Sequence, residues 1–578
     1  LSDSRPADQT QHQVVAVLTL ICSAATVSYC VWTLDRGFEL TDEAYYLLSG
    51  KYPEATSFYI SGQHWILDGL WRLARGIVAF RAWGLALLIG GALILAGGIV
   101  ASAQRLRLIS GGWPGRLAIA ASCTVCSLLY ATTINLSPSY NLLAAAGAYS
   151  AAGLVLLYTV RPNHWSSYAP LFLAGAALGV EAICKASAGA ASFGIVALWV
   201  LLNSQPTWRK LLDLAMIALG ICATVAAALL LHTSVQGAHE AMSEGLALFR
   251  MVQVEPVPDR LLRYLNELIR FAVVAFAVLG LPLLLWKMSQ LSGRRIFIAL
   301  ALVSFITLLG FGFVKGGQFS FPVPGGFLLG GTGRFESQMT LTFVLALSSL
   351  VVALPAWRRD FQVGGLMLGL FLLPYSVAVG SGNSLVTQVV VSLASWGGLV
   401  ALVAFRSASG PLSRAICAVL VLAATSQIVS SNFSPYHMNS PLHQQQYPVA
   451  IADIGDVKVD AKTRDFIHAM RAAVKNCEIA SGSPYLGLYN VPGVALLTGT
   501  IPLYSPWLND RPQADFVLAK SQPADLKGLV VAINRGDNGP VPPLPEEVAG
   551  FPTDFKYCGK GFYPYNSQTI EIWQIDNS

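Results

Sequence analysis

The sequence predicts a polytopic α-helical membrane protein of about 13 transmembrane helices, followed by a C-terminal extracytoplasmic α/β domain. Three observations carry this. The 578 residues are 54% hydrophobic and only 12% charged, where a soluble domain carries about 25%. Mean hydropathy is +0.56. Apolar segments recur up to about residue 430 and then stop, which divides the chain into a membrane part, 1–430, and an outer part, 431–578.

Each apolar run approaches the ~20 residues a helix needs to cross a bilayer. The expected spans are 14–34, 83–104, 117–133, 142–160, 168–183, 188–203, 211–231, 267–286, 296–314, 337–354, 362–380, 385–405 and 415–430. The first is longer than the apolar region of a signal peptide and no small-residue cleavage site precedes the acidic stretch after it, so it is expected to be retained. Alternate loops hold the basic residues Arg105, Arg107, Arg116, Arg161, Arg209, Lys210, Lys287, Arg294, Arg295, Arg358, Arg359, Arg406 and Arg414, while 134–141 and 381–384 hold neither Lys nor Arg. The positive-inside rule then predicts a cytoplasmic N-terminus, and an odd helix count predicts residues 431–578 outside. Residues 431–578 contain 11 Lys+Arg and 14 Asp+Glu, a net of −3, which leaves +9 of the overall +6 on the membrane part. The pI of 8.8 therefore reflects topology, and no nucleic-acid partner is implied.

Four outer regions are large enough to build a site. The first, 35–82, gathers Asp35, Glu39, Asp42, Glu43, Glu54 and Asp68, six of the 17 carboxylates in residues 1–430. Carboxylates are costly in a chain of apolar helices, which makes this loop a candidate for chemistry at the membrane surface. Its second half, with Trp65, Leu67, Leu70, Trp71, Leu73 and Ile77 beside Arg72 and Arg75, predicts an interfacial amphipathic helix. The second region is 232–266. The third, 315–336, is too rich in Gly and Pro for regular helix, and it lacks the Lys-Ser/Thr of a phosphate-binding loop. The fourth is the outer domain: a helix at 463–476, and short strands at 485–489, 516–518, 529–533 and 570–575, predict a small α/β fold.

Seven of the nine cysteines lie in or beside apolar helices. Cys123 and Cys126 form a CxxC pattern without a second pair, which reads as packing. The other two, Cys477 and Cys558, are expected to form a disulfide in an oxidising compartment.

Asp42 and Glu43 are adjacent and point in different directions on a helix or turn. One reads as a base or metal ligand and the other as its support; an interfacial turn with both acids in water is the alternative. Tyr45 and Tyr46 follow Asp42 by three and four residues, on its face if the segment is helical. Lys185 sits between two short apolar segments, either snorkelling or paired with Glu181 at i,i+4, or placed for an anionic headgroup. Arg334 ends the Gly-rich loop that Lys315 begins; it suits closure over a phosphate or caps a helix. His64 either contacts substrate or headgroup, or is structural.

Together these residues resemble the GT-C superfamily of polyprenyl-phosphate-sugar-dependent glycosyltransferases, in the branch of protein O-mannosyltransferases and lipid A aminoarabinose transferases. The likeness rests on Asp42-Glu43-Ala44-Tyr45-Tyr46, on the Gly76–Arg81 stretch opening the second span, on Gly179–Lys185, and on the helix layout followed by an outer α/β domain. The Ser434-Pro435-Tyr436-His437 junction is also similar to that in membrane proteins of this type. Ala186 stands where glycine is common, and Gln63-His64-Trp65-Ile66 where a Pro-Pro motif is usual. The resemblance implies that Asp42, supported by Glu43, is the catalytic base. Tyr45, Tyr46, His64, Lys185, Lys315 and Arg334 would then bind substrate. The implied partners are a polyprenyl-phosphate sugar donor, a glycan, lipid or protein acceptor, and membrane lipids, in a bacterial inner membrane. No nucleotide is required, and a divalent metal is compatible with the acidic box. A transporter or lipid-linked-sugar flippase is the second reading, and a noncatalytic scaffold the third. Transporters place ionisable groups near the midplane and often show repeated halves; here the acids cluster in an outer loop, without an internal repeat.

Overall fold

A computed structural model describes residues 6–575, apart from 110–111, 161–167, 252–254, 408, 537–538, 549, 564 and all of 270–359 except 288, 293, 296, 300, 303, 345–351 and 353. The spans expected at 267–286 and 296–314, most of 337–354, and the 315–336 loop with Lys315 and Arg334 thus lie outside the described residues.

The chain is an integral membrane protein. Among the described residues, seven helices are long and apolar enough to cross a bilayer. They fall in α1 (Pro6–Thr33), α4 (Ile77–Arg105), α5 (Trp113–Leu128) with the 3₁₀ turn after it, α6 (Tyr140–Tyr158), α9 (Thr207–His232), α11 (Phe361–Ala378) and α14 (Pro411–Ser430). Shorter apolar helices are α7 (Tyr168–Cys184), α8 (Ala186–Leu202) and α13 (Ala394–Ala404). The polar helices α2 (Asp42–Lys51) and α3 (Gln63–Ala74) lie between α1 and α4, and α10 (Val235–Met251) follows α9.

Apolar burial does not drive helix association in lipid, so close backbone approach matters. Gly98 of α4 faces Gly153 of α6, and a Cβ at Gly98 would fall 2.4 Å from the Gly153 carbonyl oxygen. The segment expected as one span at 385–405 is instead broken. A single turn, α12 (Leu385–Gln388), runs into a 3₁₀ turn over Val389–Ser392 before α13. Three consecutive β-branched valines favour α-helix weakly, and the Ser392 hydroxyl donates to the Pro374 carbonyl.

Beyond α14 the chain forms an antiparallel hairpin, β1 (Tyr447–Ile451) with β2 (Gly455–Val459), and then a mixed five-stranded sheet. The sheet comprises β3 (Pro484–Leu488), β4 (Ile501–Pro502), β5 (Val530–Asn534), β6 (Phe555–Tyr563) and β7 (Gln568–Ile575), in the order β4-β3-β5-β7-β6. β3 is parallel to β4 and β5, whereas β7 is antiparallel to β5 and β6. Helices α15 (Ala461–Cys477), α16 (Pro492–Thr498) and α17 (Arg511–Lys520) complete this part. The strand expected at 516–518 is a correction: those residues lie in α17. The Asp510 carboxylate caps it by accepting from the Gln513 amide at 3.3 Å, and Ala514, Val517 and Leu518 are buried at i, i+3 and i+4 spacing. Cys477, ending α15, is bonded to Cys558 in β6. Closing a loop with 81 residues of sequence separation is worth about 4.5 kcal/mol in chain entropy.

The segment between α1 and α4, which carries the acidic residues 39–43, does not stand apart from the C-terminal region. The Gly37 amide donates to the Lys458 carbonyl at 2.8 Å, Ile77 to Ile454 at 2.8 Å, and Gly493 to Leu40 at 2.9 Å. Phe38, Leu40, Leu47 and Leu67 share a buried core with Val449, Phe466, Val494 and Ile572. This shared core fixes the loop that carries the acidic box.

Candidate functional site

Glu39, Thr41 and Glu43 build the start of α2. Glu39 caps it: one carboxylate oxygen accepts the Thr41 amide at 2.8 Å and the Thr41 hydroxyl, and the other accepts the Glu43 amide at 2.8 Å. Glu43 returns the favour to the Glu39 amide at 3.3 Å. Otherwise orphaned amides of the first turn are thereby satisfied, and the acids sit at the helix's positive end.

Glu43 is fully buried and grips Arg81 of α4 through two bonds, each 2.7 Å. Asn135 at 2.7 Å and Ser137 at 2.6 Å also donate to it. Arg81 spends its remaining donors on the carbonyls of Leu34, Arg36 and Gly37. Burial raises the Glu43 pKa, but the guanidinium and the Ser137 and Asn135 donors outweigh it and hold the carboxyl below its ordinary range. Glu43, expected with Asp42 as one half of a base-and-support pair, has its oxygens saturated by donors and anchors α2 to the bundle.

Asp42, one residue earlier, turns to a cavity of about 140 Å³ between α2, the start of α6 and the broken 385–392 segment. Tyr46, Tyr130, Tyr140, Asn141, Gln388 and Tyr436 contribute to its wall. The Tyr436 hydroxyl donates to Asp42 Oδ2 at 2.9 Å. Burial, and then the negative charge of Glu39, push Asp42 up to about 6 against the opposing pull of Tyr436 and His437. Gln388 donates to Asn141 at 2.8 Å and accepts from Asn383 at 3.2 Å, so the amides of this wall are held in a network.

The other expected residues separate. Tyr46 lines the cavity, its ring centroid 6.2 Å from that of Tyr140. Tyr45 does not line it; its hydroxyl accepts from Gln63 at 3.3 Å and its ring lies against Trp507. His64 is buried in an aromatic nest, 4.5 Å from Tyr59 and 5.2 Å from Trp65, and burial depresses it to about 4. It is thus a neutral packing residue away from the cavity wall. Lys185 also lies away from the cavity wall. Its ammonium donates to the carbonyls of Val377 at 2.8 Å and Ala378 at 3.3 Å, at the C-terminal end of α11. There it satisfies orphan carbonyls and steadies the segment leading to Gln388, instead of lining the cavity. Among the described residues lining the cavity there is no Lys or Arg.

Tyr436 and His437 are neighbours of the candidate site that residue-by-residue reading did not assign. They lie 394 and 396 positions from Asp42 and Thr41. His437 Nδ1 is 3.0 Å from the Thr41 hydroxyl and 3.4 Å from Glu39, and its ring stacks on Tyr436 at 3.7 Å. The available signal was a polar, aromatic run directly after the last span.

Glu39, Asp42 and His437 present ligand atoms within 4.8 Å of one another, a spacing that suits a divalent cation. However, the Glu39 oxygens already accept from Thr41 and Glu43, and His437 Nδ1 is engaged by the Thr41 hydroxyl. A cation held here would share the Glu39 carboxylate with the cap of α2, and no chemical step is routed through one.

No protein-family model matches the chain, and no curated protein matches it in sequence. Among solved structures, it is similar to the Archaeoglobus fulgidus oligosaccharyltransferase in complex with Zn and sulfate: 12% identity, TM-score 0.42, covering 89% of this chain and 67% of that one. It is also similar to that enzyme tethered to an acceptor peptide containing the NVT sequon: 14% identity, TM-score 0.41, covering 84% and 63%. A third is apo ArnT from Cupriavidus metallidurans: 13% identity, TM-score 0.40, covering 96% and 97%. The chain thus spans about two thirds of the oligosaccharyltransferase chains.

Proposed function

We propose that the protein is a membrane glycosyltransferase that moves a sugar from a polyprenyl-phosphate donor to an acceptor hydroxyl at the outer membrane surface. The observation that carries this reading is Asp42: a carboxylate at a cavity wall, held by Tyr436, with its pKa raised to about 6. Such a group is ionised at pH 7 and accepts a proton more readily than an ordinary carboxylate. With Oδ2 occupied by Tyr436, Oδ1 is the oxygen left to accept from substrate.

The chemistry asks for little else. A sugar on a lipid phosphate already carries a good leaving group. The acceptor oxygen attacks the anomeric carbon, the carbon–oxygen bond to phosphate breaks, and Asp42 takes the hydroxyl proton. Direct displacement inverts the anomeric centre, and polyprenyl phosphate departs. Developing phosphate charge needs a cation. With Lys185 committed to α11, that role falls in this proposal to Lys315 or Arg334. The distribution of basic residues supports an outer position for the Asp42 end by the positive-inside rule; the donor then keeps its lipid in the bilayer while the acceptor arrives from water or headgroup level.

The test is a membrane assay with a panel of polyprenyl-phosphate sugars, following donor consumption. The reading requires at least one donor to be consumed by the wild type and spared by Asp42→Asn. A transporter or flippase would leave every donor intact.

A further inference from the structure

Tyrosines Tyr46, Tyr130, Tyr140 and Tyr436 stand in the wall of the cavity beside Asp42, and three of their hydroxyls have partners. Tyr130 shares a hydrogen bond with Ser139 at 2.6 Å, Tyr436 donates to Asp42 at 2.9 Å, and Tyr140 is bonded to Asn141. Tyr46 differs. It is only 3% exposed, and its hydroxyl makes no hydrogen bond among the described residues. Tyr46 follows Asp42 by one helical turn, so the two share a face of α2. The oxygens that act on its hydroxyl include those of Tyr140, Asp42 and Tyr130, all in the cavity wall. A buried hydroxyl without a partner is destabilising, so an occupant with a polar atom at this point is called for.

A relay of amides orients a second donor. Asn383 Nδ2 donates to Gln388 Oε1 at 3.2 Å, and Gln388 Nε2 donates to Asn141 Oδ1 at 2.8 Å. With Oδ1 engaged, Asn141 presents its NH₂ group, which carries two N–H donors. Tyr140 uses one, and the other is left for an occupant.

These donors are uncharged, and their surroundings decide what kind of ring fits. Among the described residues of the wall, Asp42 is the only carboxylate, and Lys, Arg and His are absent. An ammonium on a bound sugar would pair with that one carboxylate and take the base out of play. A carboxylate on the sugar would face Asp42 with no cation between them, which penalises both charges. A neutral ring offers hydroxyls to Tyr46 and Asn141 without either conflict, and its C–H faces suit Ile134, Val390 and Val391. The wall is built from the ends of apolar elements: the 3₁₀ turn after α5, the start of α6 and the broken 385–392 segment. A sugar whose lipid stays in the bilayer is the occupant such a position suits.

We infer that the cavity holds the transferred sugar of the donor, that this sugar is uncharged, and that Tyr46 and Asn141 read its hydroxyls. The inference rests on the proposed transfer and adds its substrate class and two specificity-determining residues.

The experiment measures kcat/KM in liposomes for polyprenyl phosphates carrying glucose, mannose, galactose or arabinose, and for their amino and uronic-acid counterparts. Singly deoxygenated forms of the best neutral donor complete the panel. The wild type should use a neutral donor roughly tenfold or more better than its charged counterparts. Tyr46→Phe keeps the ring and breaks no hydrogen bond within the described protein, so its unfolding midpoint should match the wild type. It should lose roughly tenfold in kcat/KM, the weight of one hydrogen bond. That deficit should vanish on the one deoxy donor lacking the partner hydroxyl. Asn141→Asp should shift preference towards amino sugars; if it fails to fold, Tyr46→Phe decides. A wild type that prefers an amino or uronic donor overturns the uncharged class. A Tyr46→Phe deficit that is absent, or equal on every deoxy donor, overturns the reading of hydroxyls. Consumption with the wrong preference ends this inference alone, whereas a wild type that consumes no donor ends the proposed function and this inference with it.

Discussion

The floor beneath α2, around Glu43, and the cavity wall beside it, around Asp42, meet at two consecutive residues yet treat a carboxylate in opposite ways. On the floor, four side-chain bonds from Arg81, Asn135 and Ser137 stabilise the charge. At the wall, burial and Glu39 work against the charge, and among side chains Tyr436 donates to it. A rotation of about 100° per residue on a helix separates the two surroundings. A fully satisfied carboxylate makes a good anchor and a poor base, whereas an under-satisfied one facing open space has chemistry left to do.

The largest expected effect is on the floor. Glu43→Ala or Arg81→Ala strands a buried charge and should cost about 3–5 kcal/mol of stability. Removing both should cost less than the sum, a coupling measurable by a double-mutant cycle of unfolding midpoints. Additive losses would dissolve the anchor role.

Acid titration separates the two groups by sign. Glu43 has a depressed folded-state pKa, so its contribution is present above the unfolded value and is lost as pH falls through the folded one. Asp42 is raised from 3.8 to about 6. Between these values the folded state holds more protons, so its contribution to stability declines as pH rises through that window and the burden is fully present above it. Asp42→Asn should therefore raise the unfolding midpoint at pH 7, measurable by thermal unfolding, and Glu43→Gln should lower it. The transfer rate of the wild type should climb with pH through about 6 as Asp42 ionises; a flat profile from pH 5 to 8 would remove Asp42 as the base.

The smallest effect should come from Tyr436→Phe. It deletes a hydrogen bond to a charged group, worth about 1.5–3 kcal/mol before water fills in, and it removes an influence that lowers the Asp42 pKa. The ascending limb of the pH–rate profile should move upward, with little change in the unfolding midpoint.

Much of this comparison was legible in the sequence, and the remainder was lost for physical reasons. Hydropathy marks α1, α4, α6 and α9 because a span must be continuously apolar. Charge density marks the acidic box because carboxylates are rare elsewhere in the membrane part. The division of labour between Asp42 and Glu43 was left open because their partners come from afar: Arg81 from α4, Asn135 and Ser137 from the next outer turn, Tyr436 from beyond the last span. The same limit hid the destination of Lys185, whose acceptors are carbonyls 192 and 193 positions away. At 516–518, a three-residue apolar run looks alike in a strand and on one face of a helix; the Asp510 cap decides for the helix. The run Val389–Val391 read as part of a span, yet its break shapes the cavity wall.

The most direct measurement is donor consumption by purified Asp42→Asn and wild-type protein in liposomes supplied with polyprenyl-phosphate sugars, with unfolding midpoints recorded on the same samples. The account predicts a loss of transfer of about 10²–10⁴-fold in a variant at least as heat-stable as the wild type. Undiminished transfer by a folded Asp42→Asn protein would contradict it.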